Sequence, residues 1–159
     1  MTQHSYLTFR LAEEYFAVSV SNVLHILEMQ RITKIPHCPD YMMGVINLRG
    51  TVLPVIDTRK KFGIGEAEIT KNSCILVLNL ELKGEIINLG AVVDSVHEVE
   101  EINTGQVKPP PSVGSKYKSE FIEGLYAQDD RFVMMVNMNK VLSMDELLVV
   151  QDITEEPQA

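Results

Sequence analysis

The residue types of this chain that could bind a metal or catalyse a reaction do not occur at the spacings that such sites need. The metal-binding types are the histidines and cysteines, namely His4, His25, His37, His97, Cys38 and Cys74. They form neither a His-x-x-x-His nor a Cys-x-x-Cys pair. Only His37 and Cys38 are adjacent, and neighbours in an extended segment point to opposite faces. Because phosphate loops, dinucleotide fingerprints and nucleophile elbows are also absent, we expect no metal, no cofactor and no catalytic residue.

One stretch does resemble an enzyme motif. Val55-Ile56-Asp57-Thr58 is similar to the apolar–apolar–Asp–Thr of pepsin-like proteases, which are duplicated β proteins. In those enzymes a glycine follows the threonine, and catalysis needs a second aspartate that shares a proton with the first. Here Arg59 follows, and the matching position of the second half is Asn137. A duplicated acid hydrolase is therefore a remote alternative, and Asp57 is expected to cap the turn that follows it.

The elements that would position these residues are predicted to be short strands. Apolar runs separated by turn residues predict strands over 6–11, 15–20, 26–35, 74–82, 86–93, 96–102, 121–127 and 131–138, with two more flanking Arg49-Gly50 in 44–62. Pro54 predicts an edge or a bulge, because proline cannot donate to a ladder. Two helical segments are predicted, a short turn beginning at Val23 and a C-terminal helix over 144–150 capped by Ser143. Residues 109–115 are predicted to form a stiff, then flexible loop.

The second half of the chain repeats the first. A shift of 80 positions places Gly44 on Gly124 and Arg49-Gly50 on Asp129-Asp130, and a shift of 73 places Val23 on Val96. The difference falls in the proline-rich loop, where insertions cost little. The repeat predicts two barrel-like β units of about 70 residues that share apolar surface. We expect them to cover about 1–70 and 71–150 of a single domain over 1–159, with strand exchange between them.

Composition excludes some partners. The chain has 159 residues, 45% of them apolar, and a net charge of −8. Nucleic acid is therefore not expected as a partner, and the basic run Arg59-Lys60-Lys61 is interpreted as a solvated helical turn. No apolar run approaches the roughly 20 residues of a membrane-spanning helix, so direct membrane insertion is not expected. The two cysteines without a disulfide pattern indicate a reducing, cytoplasmic setting.

The ordered motifs resemble the CheW family of bacterial chemotaxis coupling proteins. The resemblance rests on Asn47-Leu48-Arg49-Gly50 followed by Pro54-Val55-Ile56-Asp57 and Arg59, and it extends to 74–79, 90–96 and 121–125. It implies an all-β fold of two pseudo-symmetric, five-stranded SH3-like barrels with a short C-terminal helix. It also implies a non-catalytic adaptor, monomeric outside the signalling array, that couples the cytoplasmic tips of chemoreceptors to the regulatory domain of the histidine kinase CheA. The same fold would also suit another receptor and kinase pathway, in motility or gene regulation.

The resemblance also implies binding positions. Receptor contacts are expected in a groove between the barrels, at Gly44, Arg49, Cys74, Ile75, Gly90, Val93, Val96 and Val99. Kinase contacts are expected around Val23 and Ile26 on the first barrel, with a further kinase-facing surface on the second. Many relatives carry a glutamate at the position of His25, and that carboxylate would pair with the arginine at the position of Arg49. Arg49 lacks this partner here. Glu28 is a candidate replacement, although it lies three residues further along the chain.

Overall fold

The computed structural model describes residues 3–110 and 121–155, which contain ten strands and two α-helices. The strands are β1 (Gln3–Leu11), β2 (Glu14–Ser19), β3 (Val23–Glu28), β4 (Met42–Leu48), β5 (Thr51–Asp57), β6 (Cys74–Leu82), β7 (Glu85–Val93), β8 (Ser95–Asn103), β9 (Ile122–Gln128) and β10 (Arg131–Val136). The helices are α1 (Thr58–Lys61) and α2 (Met144–Glu155). The all-β prediction is therefore confirmed.

The strands form two five-stranded sheets of SH3-like barrels. The order in the first sheet is β3-β6-β7-β5-β4, and in the second it is β8-β1-β2-β10-β9. The first sheet is continuous in sequence, whereas the second combines the N-terminal hairpin with the C-terminal strands. A boundary near residue 70 therefore does not separate the sheets, because it would divide the first sheet between β5 and β6.

The two sheets have the same pattern of pairing. Each contains a central hairpin, β6–β7 or β1–β2, that pairs antiparallel with an edge strand on one side. On the other side each hairpin pairs in parallel with β5 or β10, the inner strand of a second hairpin. Gly44 and Gly124 mark the same point in the repeat, because an added Cβ would lie 2.1 Å from Thr33 O in one case and 2.8 Å from Lys108 O in the other. The predicted duplication is a real structural repeat.

Three clusters of apolar side chains form the core. The largest lies between the sheets and includes Phe9 and Val18 from the second sheet with Leu76 and Leu78 from the first. A smaller cluster fills the interior of each barrel, one around Ile75 and Val77 and the other around Ala17 and Met135. Alternate residues of β6 thus face different clusters, as the two-residue period of a strand requires. Because both of its faces are buried there, the run Ile75–Leu78 of β6 is apolar without interruption.

One local prediction was wrong and another was half right. The helical turn lies at Val20–Asn22, and Val23 instead begins a strand. Pro54 is not in an edge strand, but its ladder with β4 has a bulge or irregularity between Met42 and Gly44. Pro54 lies opposite Val45, whose amide and carbonyl both bond to Thr33. The parallel pairing with β7 starts one residue later, so neither neighbour requires a donor from Pro54. Most of the predicted proline-rich loop, from 111 to 115, lies outside the described residues.

The C-terminal helix begins as predicted. The Ser143 hydroxyl accepts from the backbone N–H of Glu146 at 3.2 Å, and the Glu146 carboxylate accepts from the N–H of Ser143 at 2.8 Å. This reciprocal capping box satisfies two N–H groups at the start of the helix. The helix continues to Glu155, five residues beyond the predicted end.

Candidate interaction surfaces

The one aspartate of the enzyme-like motif has a structural role. Asp57 is buried and accepts from the N–H of Lys60 at 3.2 Å and from the N–H of Ala67 at 2.9 Å. Its counterpart Asn137 caps the equivalent turn by accepting from the N–H of Asn139 at 3.0 Å. The two positions thus share a capping role, as predicted for Asp57. Among the residues that the structure describes, no group of three or more His, Cys, Asp or Glu side chains could hold a metal ion.

The first candidate surface lies on the edge strand β3. Leu24 and Ile26 are 45% and 48% exposed, and a register irregularity between Val23 and His25 interrupts the regular alternation of side chains in this part of the strand. Val23 is half-buried and packs against the cluster between the sheets. We call Val23, Leu24 and Ile26 the β3 strip. Exposed aliphatic side chains on a strand that pairs along one edge are typical of a protein-binding surface.

The second candidate surface occupies the equivalent edge strand β8. Val99 is 58% exposed, and Val96 is half-buried against the cluster between the sheets. These two residues, the β8 strip, are the counterparts of Ile26 and Val23. Their surroundings differ, because β8 also carries Glu98, Glu100 and Glu101. The repeat therefore presents two edge surfaces of similar geometry and different charge.

Cys74 lies where the two sheets meet. It is half-buried at the start of β6, opposite Glu28, and packs with Val96 against the shared cluster. Burial and then the charge of Glu28 raise the pKa of its thiol, although a hydrogen bond involving the Val96 backbone acts in the other direction. The thiol donates to Asn72 O at 3.3 Å. Cys74 is thus a small, weakly acidic residue beside the β8 strip.

Four of the expected receptor contacts are buried in this conformation. Ile75 and Val93 are both 0% exposed and contact other core residues. Gly44 and Gly90 are also buried, and a Cβ on Gly90 would lie 3.0 Å from Ile75 Cγ2. These four residues support the surface from beneath. The expected positions with accessible side chains are Arg49, Cys74, Val96, Val99, Val23 and Ile26.

The third candidate surface is a cleft of about 320 Å³ in the first barrel. It lies among β3, the β4–β5 turn, β7 and α2. Arg49 and His25 both line it, together with Glu85 and Gln151. Glu28 lies at the far end of β3, opposite Cys74, and among the described residues it forms no ion pair with Arg49. Glu28 therefore does not substitute for the partner that Arg49 lacks.

The basic run is less solvated than predicted. It does form a helical turn, α1, but Arg59 is only 15% exposed and pairs with Asp94, which is 8% exposed. Arg59 Nε lies 3.1 Å from each carboxylate oxygen of Asp94, and Asp94 Oδ2 also accepts from the N–H of Ala12 at 2.7 Å. Asp94, between β7 and β8, thus links Arg59 after β5 to Ala12 in the β1–β2 turn of the other sheet. The hydrogen bond to Asp94 raises the pKa of Arg59.

Lys61 also has partners within the fold. Its ammonium lies 2.5 Å from Glu146 on α2 and 4.6 Å from the centre of the Tyr41 ring. Burial raises the pKa of Glu146, but the hydrogen bond from Lys61 and those from Ser143 outweigh it, so the pKa is lowered. Burial and then the charge of Glu146 raise the pKa of Tyr41 to about 12. A three-residue basic run gave no sign of these contacts, since both acidic partners are distant in sequence.

Comparison with known proteins identifies the family. The family model described as CheW-like domain matches residues 5–146. The chain is 31% identical to chemotaxis protein CheW of Klebsiella aerogenes, covering 94% of this chain and 88% of that one. It is also 31% identical to chemotaxis protein CheW of Bacillus subtilis, covering 91% and 90%. The crystal structure of the scaffolding protein TtCheW from Thermoanaerobacter tengcongensis superposes with a TM-score of 0.79 at 34% identity, covering 92% of this chain and 99% of that chain.

Within the described ranges, neither helix is both long and apolar enough to cross a membrane.

Proposed function

The chain belongs to the CheW-like domain family, and on that premise we propose that it is a non-catalytic adaptor that couples chemoreceptors to the histidine kinase CheA. The observation that carries this proposal is the presence of two exposed aliphatic strips on equivalent edge strands of different sheets. A molecule with two separate apolar surfaces can bind two proteins at once. An adaptor requires this property and an enzyme does not.

The β3 strip is the proposed kinase contact. Leu24 and Ile26 expose large aliphatic side chains beside a free strand edge. Such a surface can pack against an apolar surface of the kinase regulatory domain, where exclusion of water from apolar side chains supplies the affinity. His25 faces the other side of the strand, so it would not disturb this packing.

The β8 strip is the proposed receptor contact, together with the junction around Cys74. A receptor tip is a helical structure, and an amphipathic helix binds through aliphatic anchors spaced along one face. Val96 and Val99 provide aliphatic contacts, while the exposed Glu98 and Glu101 offer partners for basic residues of the receptor. Each contact would be of modest strength, and many copies in an array would supply the avidity. The protein would act in the cytoplasm, where it is recruited to receptor arrays.

Binding of each partner to matched variants tests this proposal. The receptor tip and the kinase regulatory domain should each bind the wild-type protein in isothermal titration calorimetry. Ile26→Ser should weaken kinase binding by about tenfold and leave receptor binding unchanged, whereas Val99→Ser should do the reverse. Phe132→Ser is the control, because Phe132 is 48% exposed but lies outside both strips. Failure of the folded wild-type protein to bind either partner would contradict the proposal.

A further inference from the structure

A β-bulge brings the two residues of the β8 strip onto one face of the sheet. Val99 lies opposite Leu7 on β1, and Val96 lies opposite Phe9. Leu7 and Phe9 are two positions apart and both belong to the cluster between the sheets, so their partners share that face. Val96 and Val99 are three positions apart, and in a regular strand they would face opposite sides. The extra residue of the bulge brings them back to the same side.

The hydroxyl of Thr8 holds this bulge. His97 and Glu98 together lie opposite Thr8, and the register of β1 and β8 gives neither of them a paired residue. Thr8 Oγ1 accepts from the backbone N–H of Glu98 at 3.3 Å and donates to Glu98 O at 3.0 Å. Thr8 is only 3% exposed. A buried side chain thus supplies both an acceptor and a donor where the pairing of the two strands is interrupted.

The bulge also determines where His97 lies. Its ring centre is 5.2 Å from that of Tyr15, which packs against the cluster inside the second barrel. The histidine is therefore turned away from the face that carries Val96 and Val99. As a result, the β8 strip presents two valines without an imidazole between them.

The first barrel forms its bulge without a hydroxyl. Val77 of β6 occupies the position of Thr8 in the repeat, because in each barrel the residue before it pairs with the exposed aliphatic residue of the strip. Valine has the shape of threonine but cannot form a hydrogen bond through its side chain. Pairing in β3 resumes directly, with His25 opposite Val77, whereas at Glu98 in β8 the side chain of Thr8 takes the place of such a pair.

We propose that Thr8 is a positioning residue for receptor binding, because its hydroxyl fixes the bulge that presents Val96 and Val99 together. Thr8 is buried and acts only through β8. This role rests on the proposed receptor contact of the β8 strip. Without the hydroxyl, the backbone groups of Glu98 would lose both bonds, and β8 would sample pairings in which Val99 leaves the shared face. Kinase binding should not change, because β3 belongs to the other sheet.

Hydrogen exchange of backbone amides tests the structural step. In ¹⁵N-labelled full-length protein, the Glu98 amide should exchange about fivefold faster in Thr8→Val than in the wild-type protein, because the valine removes its acceptor. Thr8→Ser keeps the hydroxyl and should exchange at close to the wild-type rate. The His25 amide, at the equivalent position of β3, is the internal control and should not change. Equal exchange of Glu98 in Thr8→Val and wild type would overturn the proposal.

Binding of the two partners tests the functional step. In isothermal titration calorimetry, Thr8→Val should bind the receptor tip about fivefold more weakly, and Thr8→Ser should restore the affinity. Both variants should bind the kinase regulatory domain as the wild type does. Asn139→Ala is the control for lost stability, because it also removes an acceptor from a backbone N–H, that of Glu81, but lies outside β1 and β8. It should bind both partners normally.

Three results would overturn the role of Thr8. They are wild-type receptor affinity in Thr8→Val, an equal loss of receptor and kinase binding in that variant, and a loss of receptor binding in Asn139→Ala as large as in Thr8→Val. The adaptor function fails in a different way, since the wild-type protein itself would then not bind the receptor tip. That result would also remove the receptor role of Thr8, so the two failures can be told apart by the wild-type titration.

Discussion

The two barrels differ in the side chains of the turn that follows their inner strands, β5 and β10. In the first barrel, Asp57 caps the turn and Arg59, two residues later, forms an ion pair with Asp94. In the second, Asn137 caps the turn, and Asn139 accepts from the N–H of Glu81 at 3.0 Å. Asp94 also accepts from Ala12 in the β1–β2 turn of the second sheet, and Glu81 lies in β6 of the first sheet. Each turn is therefore linked to the central hairpin of the other sheet. The first contact is charged and buried, and the second is neutral and exposed.

This difference indicates which barrel controls the relative position of the sheets. A buried ion pair with several hydrogen bonds has a narrow range of acceptable geometry, and removing one partner leaves an uncompensated charge. A single neutral hydrogen bond contributes only about 1 kcal/mol. We therefore call the Arg59–Asp94 contact the strict connection between the sheets, and the Asn139–Glu81 contact the loose connection.

The largest expected loss of stability comes from replacing the glycines in β4 and β9, Gly44 and Gly124, by alanine. Gly44→Ala should destabilise the protein by about 3 kcal/mol, because the new Cβ would meet a backbone oxygen at 2.1 Å and the φ of +142° strains any L-residue. Gly124→Ala should cost about 2 kcal/mol, because its closest contact is the Val107 side chain at 2.3 Å. Urea unfolding measures both values.

Gly105→Ala is the control for this pair. A Cβ there would meet only Asn103 Oδ1, at 3.1 Å, so the expected loss is about 0.5 kcal/mol. A loss at Gly44 no larger than that at Gly105 would show that the approach of Thr33 to β4 is not a fixed feature of the first barrel.

The strict and loose connections should differ in energy. Asp94→Asn should cost about 3 kcal/mol, because Arg59 would remain partly buried without a counter-charge. Asn139→Ala should cost about 1 kcal/mol, since it removes one hydrogen bond at the surface. The midpoints of urea unfolding give both numbers. Equal losses would mean that the charged turn has no special role in joining the sheets.

The first turn should also make stability depend on pH. The pKa of Glu146 is lowered from its ordinary value of 4.5, so the contribution of the Lys61–Glu146 pair is complete above that value and is lost as the pH falls through the lowered pKa. We expect wild-type protein to exceed Glu146→Gln in stability by about 0.5 kcal/mol at pH 7. This advantage should decrease as the pH falls below 4.5 and through the lowered pKa.

Unfolding curves at several pH values in a Lys61→Met background provide the control. Without the ammonium, the pH-dependent part of the advantage over Glu146→Gln should be much smaller. The second barrel has no equivalent pair, because Val141 occupies the position of Lys61 and is buried. An undiminished pH effect in Lys61→Met would assign it to the capping of α2 alone.

The smallest expected effect on stability concerns the two strips. The double change Leu24→His/Ile26→Val gives the β3 strip the residues found at the equivalent positions of β8, His97 and Val99. Stability should change by about 0.5 kcal/mol or less, because these side chains are exposed. Kinase affinity should fall about fivefold with receptor affinity unchanged. Kinase binding at full strength would show that Leu24 and Ile26 do not distinguish the strips.

The sequence predicted local structure better than long-range structure. The hairpin of β6 and β7 was predicted from its continuous apolar runs around Lys83-Gly84, and the start of α2 was predicted from the Ser143 cap. Strand exchange between the halves was expected, but the identity of the exchanged strands, β1 and β2, was not, because pairing between distant segments leaves no local pattern. The Arg59–Asp94 pair was missed for the same reason. The family resemblance, and not a local pattern, placed Ile75 and Val93 near a binding surface, and the structure shows that both side chains are buried.

Formation of a three-protein complex tests the central claim most directly. The protein, a receptor cytoplasmic tip and the regulatory domain of CheA would be mixed and examined by sedimentation velocity. Two partners bound at separate strips should yield one species that contains all three. At concentrations near the wild-type dissociation constants, Ile26→Ser or Val99→Ser should each lower the fraction of this species in favour of a complex of two. Competition between receptor and kinase for one surface, with no three-protein species at saturating concentrations, would contradict the adaptor function.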